Sequence, residues 1–85
     1  MPQMFLERDD QPIGEDEWRR AVEAVGARFV LGTLNVELRG REGTWERVLV
    51  WERSYAVFSV MAYYEPFIEQ LRRIAAALSA SIVDN

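Results

Sequence analysis

Residues 44–62, TWERVLVWERSYAVFSVMA, decide the fold. Two runs rich in β-branched and aromatic residues, at about 44–52 and 55–62, flank Arg53-Ser54, and this predicts two strands joined by a tight turn. A two-residue turn fixes the register, so that Trp51 opposes Ala56, Leu49 opposes Phe58 and Arg47 opposes Val60. Trp45 and Ala62 then share a face with those six residues, while Val48, Val50, Tyr55, Val57, Ser59 and Met61 form the other face. Both faces are rich in apolar side chains. A sheet with helices on one side alternates apolar and polar instead. Two readings follow: a different register or a covering loop hides the second face, or an apolar sheet surface stays open to a partner or a second copy of the chain. Trp45 and Trp51 anchor that surface if the first face is open, and Tyr55 anchors it if the second is.

Upstream, residues 28–38 (RFVLGTLNVEL) are strand-like, with a bulge or tight hairpin at Gly32-Thr33. Residues 39–43 (RGREG) form a polar loop. On the other side Glu65-Pro66 opens a helix, since proline suits a first turn. Phe67, Ile68, Leu71, Ile74, Ala75 and Leu78 recur at three and four residues and make its core-facing stripe. Glu69 can pair with Arg72 or Arg73 along the same helix. Ser81-Ile82-Val83 reads as a closing strand.

The chain opens with a short strand at 3–8 (QMFLER) and a turn at Asp9-Asp10-Gln11-Pro12. A helix follows from about Glu15 to Val25, with Gly14 at its N-cap and Gly26 as its stop. Trp18, Ala21, Val22 and Val25 form its apolar stripe. Two helices with one stripe each most simply cover one face of one sheet. The expectation is a single α+β domain over residues 1–85: a two-layer sandwich with a mainly antiparallel sheet of four to six strands and both helices on one face.

Composition narrows the chemistry. A chain of 85 residues with 49% hydrophobic residues can bury one core. No run of about 18 apolar residues is present, so no membrane span is expected. The opening MPQMFLERDD lacks the pattern of a secretory signal, and with no cysteine it points to the cytoplasm. The sequence contains no His, and all ten basic residues are Arg. The commonest general base, the commonest metal ligands and Schiff-base chemistry are therefore missing, and no catalytic motif stands in for them. No enzyme activity, cofactor or metal is expected. The net charge of −4 makes nucleic acid a poor partner and a basic surface a good one.

Asp9, Asp10, Glu15, Asp16 and Glu17 fall within nine residues that hold no basic residue. They read either as a solvated turn with carboxylates complementing the helix dipole, or as an acidic patch that docks into a basic cleft. Tyr63-Tyr64 at the strand-to-helix junction reads as one packed and one exposed ring.

Residues 6–25, LERDDQPIGEDEWRRAVEAV, resemble the opening of a group of small bacterial proteins: a strand, a Pro-Ile-Ser-like turn, then an acidic first helical turn and Trp. Pro12, Ile13, Glu15, Glu17 and Trp18 carry the likeness, with Gly14 in place of Ser. The Leu71-x-x-Ile74-Ala-Ala-Ala-Leu78 run and Ala80-Ser81-Ile82-Val83 are similar to that group's end. Many bacterial proteins of this size and charge resemble cognate immunity proteins of polymorphic or secretion-delivered toxins. That resemblance implies stoichiometric binding that blocks a toxin. Self-association through the apolar hairpin face as an assembly module, or a small-ligand regulatory role, are the alternatives.

Overall fold

The computed structural model describes residues 2–84. Strand β1 (Gln3–Glu7) is followed by helix α1 (Glu15–Ala24), the short strand β2 (Arg28–Phe29), and strands β3 (Val36–Arg39), β4 (Trp45–Trp51) and β5 (Ala56–Ser59). Helix α2 (Phe67–Leu78) and strand β6 (Ser81–Asp84) complete the described elements. The strands form one six-stranded sheet in the order β2-β3-β4-β5-β1-β6. Every pairing in it is antiparallel. This is the two-layer α+β sandwich expected, with both helices on one face of the sheet.

The core lies between the layers. Met4 and Leu6 of β1, Val36 and Leu38 of β3, Leu49 of β4, and Ala56 and Phe58 of β5 point inward and are buried. They meet Trp18, Ala21 and Val22 of α1 and Phe67, Leu71, Ile74, Ala75 and Leu78 of α2. Trp18 has no exposed surface. Its ring stacks on Trp51 with centroids 4.9 Å apart. Its indole N–H donates to the Leu34 carbonyl at 2.9 Å, so its one polar atom is satisfied inside. The Asn35 carboxamide oxygen accepts the Trp51 backbone N–H at 2.9 Å. The turn after β2 is thereby tied to both tryptophans.

Three details resolve or correct the sequence expectation, the first by settling the choice between bulge and hairpin at Gly32-Thr33. The break at Gly32-Thr33 is a hairpin: Gly32 takes φ +79°, and Val30 N–H donates to the Asn35 carbonyl across the turn. The strand expected to reach residue 62 stops at Ser59. There the serine hydroxyl accepts the Met61 N–H and caps a 3-10 turn at Val60–Ala62, so Val60 never pairs with Arg47. Third, β4 carries a bulge. Val36 faces Leu49, but Glu37 faces Arg47, which leaves one extra residue on β4 at Val48. The register expected at the hairpin end holds, with Trp51 opposite Ala56 and Val50 opposite Val57.

Helix α2 ends on Ser79, whose φ of +52° is left-handed. The N–H of Ala80 reaches back to the Ala75 carbonyl at 2.8 Å and closes the terminal loop. The left-handed region disfavours residues with a Cβ, and Ser79 is exposed. Ser79→Gly is expected to raise unfolding stability by about 0.5–1 kcal/mol, read as a higher urea midpoint at unchanged slope.

Candidate functional site

The face of the sheet opposite the helices has no covering element among the described residues. Its residues are fixed by the alternation that buries Met4, Leu6, Ala56 and Phe58 on the other side. Val50, Val57, Phe5 and Val83 are successive cross-strand partners, so four adjacent strands place one apolar row across the open face. Val50 is 47% exposed and Val83 is 37% exposed. Tyr55 lies beside the row, its ring tilted against Phe5 at 5.9 Å between centroids. Phe5, Val48, Val50, Tyr55 and Val57 line a shallow depression of about 510 Å³, with Gln3, Ser59 and Glu52 at its rim. An aromatic and aliphatic floor with a polar rim is the composition of a protein–protein contact.

The bulge extends this surface. Beyond Val48 the faces exchange, so Trp45 and Arg47 join the open side while Leu49 and Trp51 stay inward. Trp45 packs against two guanidinium groups. Arg28 lies 4.4 Å from its ring centroid and Arg39 lies 4.7 Å away. Arg28 also pairs with Glu37 at 2.8 Å. This stack holds the indole in place and presents positive charge at one corner of the open face.

The expected anchors therefore separate. Trp51 sits on the helix-covered side against Trp18, so it is no part of the open surface. Tyr55 and Trp45 both lie on the open side, the first by simple alternation and the second through the bulge. Phe5 and Val83 escape sequence reasoning, because the placement of β1 beside β5 and of β6 beside β1 has no local signal. The strand character of residues 3–7 and 81–84 is the only cue to them.

The acidic residues also separate. Asp9, Asp10, Glu15 and Asp16 are exposed and join no ion pair among the described residues. Glu17 is committed internally. Its two carboxylate oxygens accept from the Arg8 guanidinium at 2.9 and 3.0 Å, and it also accepts the Gly14 N–H at 3.2 Å. The remaining Arg8 donors reach the carbonyls of Gln11, Pro12 and Leu78. The Arg8 side chain is only 7% exposed. One guanidinium thus joins the end of β1, the following turn, the start of α1 and the end of α2. Among the described residues, no three His, Cys, Asp or Glu side chains converge to hold a metal ion. No described helix is long and apolar enough to cross a membrane.

Comparison with known proteins found no matching family model, no matching curated protein and no matching solved structure.

The Arg8 guanidinium, with help from the Gly14 N–H, holds the Glu17 carboxyl at about 2, against an ordinary value of 4.5. A carboxylate pKa depressed in the folded state adds stability above the ordinary value, and that stability is lost as the pH falls through the folded value. Glu17→Gln is expected to melt below the wild type at pH 7. The gap should shrink steadily as the pH drops from about 4.5 toward about 2. A gap constant across that range in a series of thermal melts would remove Arg8–Glu17 as its cause.

Proposed function

We propose that this chain acts as a stoichiometric, non-catalytic binding protein that lays the helix-free face of its sheet on a protein partner. The observation that carries this reading is the continuous row of Val50, Val57, Phe5 and Val83 with Tyr55 beside it, on a face that nothing in the described chain covers. Exposed apolar surface joined across four strands is costly in water and becomes favourable when a partner covers it. The absence of His, Cys and Lys supports binding over turnover.

An immunity-type role fits this surface. A toxin is neutralised when a rigid face covers its active site or its route to substrate, and a sheet braced by two helices is such a face. The exposed carboxylates Asp9, Asp10, Glu15 and Asp16 lie on the turn and first helical turn, and they would attract a basic partner at long range. The partner chemistry that suits the open face itself is an apolar patch with carboxylates placed to meet Arg39 and Arg47.

The test is titration calorimetry against the protein encoded beside this one. Saturation at one copy per partner, with loss of the partner's toxicity, is the expected result. Tyr55→Ala is expected to weaken binding by about tenfold or more, the range in which buried aromatic anchors act. Asp16→Asn should slow association and reduce its salt dependence while leaving dissociation unchanged. Full-strength binding by a correctly folded Tyr55→Ala protein would place the contact elsewhere.

A further inference from the structure

The open face is complementary to itself, and we infer that two copies of this chain associate face to face through it. The inference rests on the reading of that face as a binding surface and identifies one occupant of it: a second copy.

Apart from Glu37, which Arg28 already occupies, the charge on the face is divided by the apolar row. On one side of Val50 along β4 lies Arg47, with Arg39 on the neighbouring strand. On the other side lies Glu52, with Glu7 next to Tyr55 in the register that pairs Leu6 with Ala56. Arg47, Arg39 and Glu52 are exposed, and Glu7 is half-buried. None of the four joins an ion pair among the described residues.

Consider a two-fold axis running along the row Val50, Val57, Phe5 and Val83. It exchanges the two ends of every strand, so the row packs on its own copy and, on β4, the basic end of each copy lies over the acidic end of the other. The bulge makes the spacing match. Glu52 is two residues past Val50. Arg47 is three residues before it, but the extra residue at Val48 absorbs one step. Both charges then stand on the order of 7 Å from the axis at ~3.3 Å per residue. Strands related in this way run nearly antiparallel, which is the aligned packing of two sheets about 10 Å apart. The contact is isologous, with Arg47 facing Glu52 twice across the axis. A patch four strands wide lies at the small end of protein interfaces, so a reversible dimer is expected.

Sedimentation equilibrium of the purified protein across a concentration series tests this. The expected result is a reversible shift from the 9.9 kDa chain to twice that mass, weakened by added salt. Arg47→Glu and Glu52→Arg should each weaken association about tenfold or more. The double exchange, Arg47→Glu with Glu52→Arg, should restore it, because the pair is rebuilt with its signs reversed. Circular dichroism of each variant confirms the fold. A protein that stays monomeric at about millimolar concentration overturns the inference, and so does a double exchange no better than either single change. A monomer that still binds its partner through Tyr55 removes only self-association. Loss of both removes the open face as a binding surface altogether.

Discussion

The stack of Trp18 on Trp51 sets which side of the sheet faces the helices. Side chains on a strand alternate with a period of two, so placing Trp51 inward sends Val50 outward, and the pairing Val50–Val57 sends Val57 with it. The same interaction seats α1, because Trp18 is the largest fully buried side chain of the core. Its N–H bond to Leu34 and the Asn35 bond to Trp51 carry the constraint into the β2–β3 turn. Reversing the orientation of Trp51 would leave Trp18 of α1 without the ring it stacks on.

The bulge at Val48 then gives β4 two halves with different duties. Near the turn, β4 follows the alternation set by Trp51. Past the bulge, Trp45 and Arg47 reach the open side, and Leu38 rather than a β4 residue fills the core at that level. Without the extra residue Trp45 would point toward the helices and its packing against Arg28 and Arg39 could not form. A single inserted residue therefore turns a strand with one uncovered end into one that places aromatic, basic and apolar groups on the same face.

The fold class was legible in residues 44–62 and in the two helical stripes, because strand and helix periods are local properties. The hairpin register near residues 53–54 was legible for the same reason: a short turn determines it. The bulge was not, since nothing in Arg47-Val48-Leu49 distinguishes two residues facing one partner from two facing two. Nor was the end of β5, which depends on one serine hydroxyl capping a turn. Long-range strand order was equally hidden, and with it the contribution of Phe5 and Val83. Of the candidate contact residues, Tyr55 was assigned on alternation alone. Trp51 required knowledge of which face α1 covers. Glu17 required its partner Arg8, nine positions away and outside any helical or strand spacing.

Net charge is a poor guide to the charge of the open face. The chain carries −4 overall, yet the open face holds Arg28, Arg39 and Arg47 against Glu7, Glu37 and Glu52, an even balance. The surplus of acid lies instead on the turn and first helical turn at Asp9, Asp10, Glu15 and Asp16. Charges in water act over about 8 Å at physiological salt before screening removes them. In the proposed complex such a cluster would govern how fast a partner arrives and in what orientation, while the apolar row and Tyr55 would govern how long it stays. Their separation on the surface would let rate and residence in that complex be set by different residues. Glu17 belongs to neither set: its carboxylate is already occupied by Arg8, and its charge serves the join between β1 and the two helices.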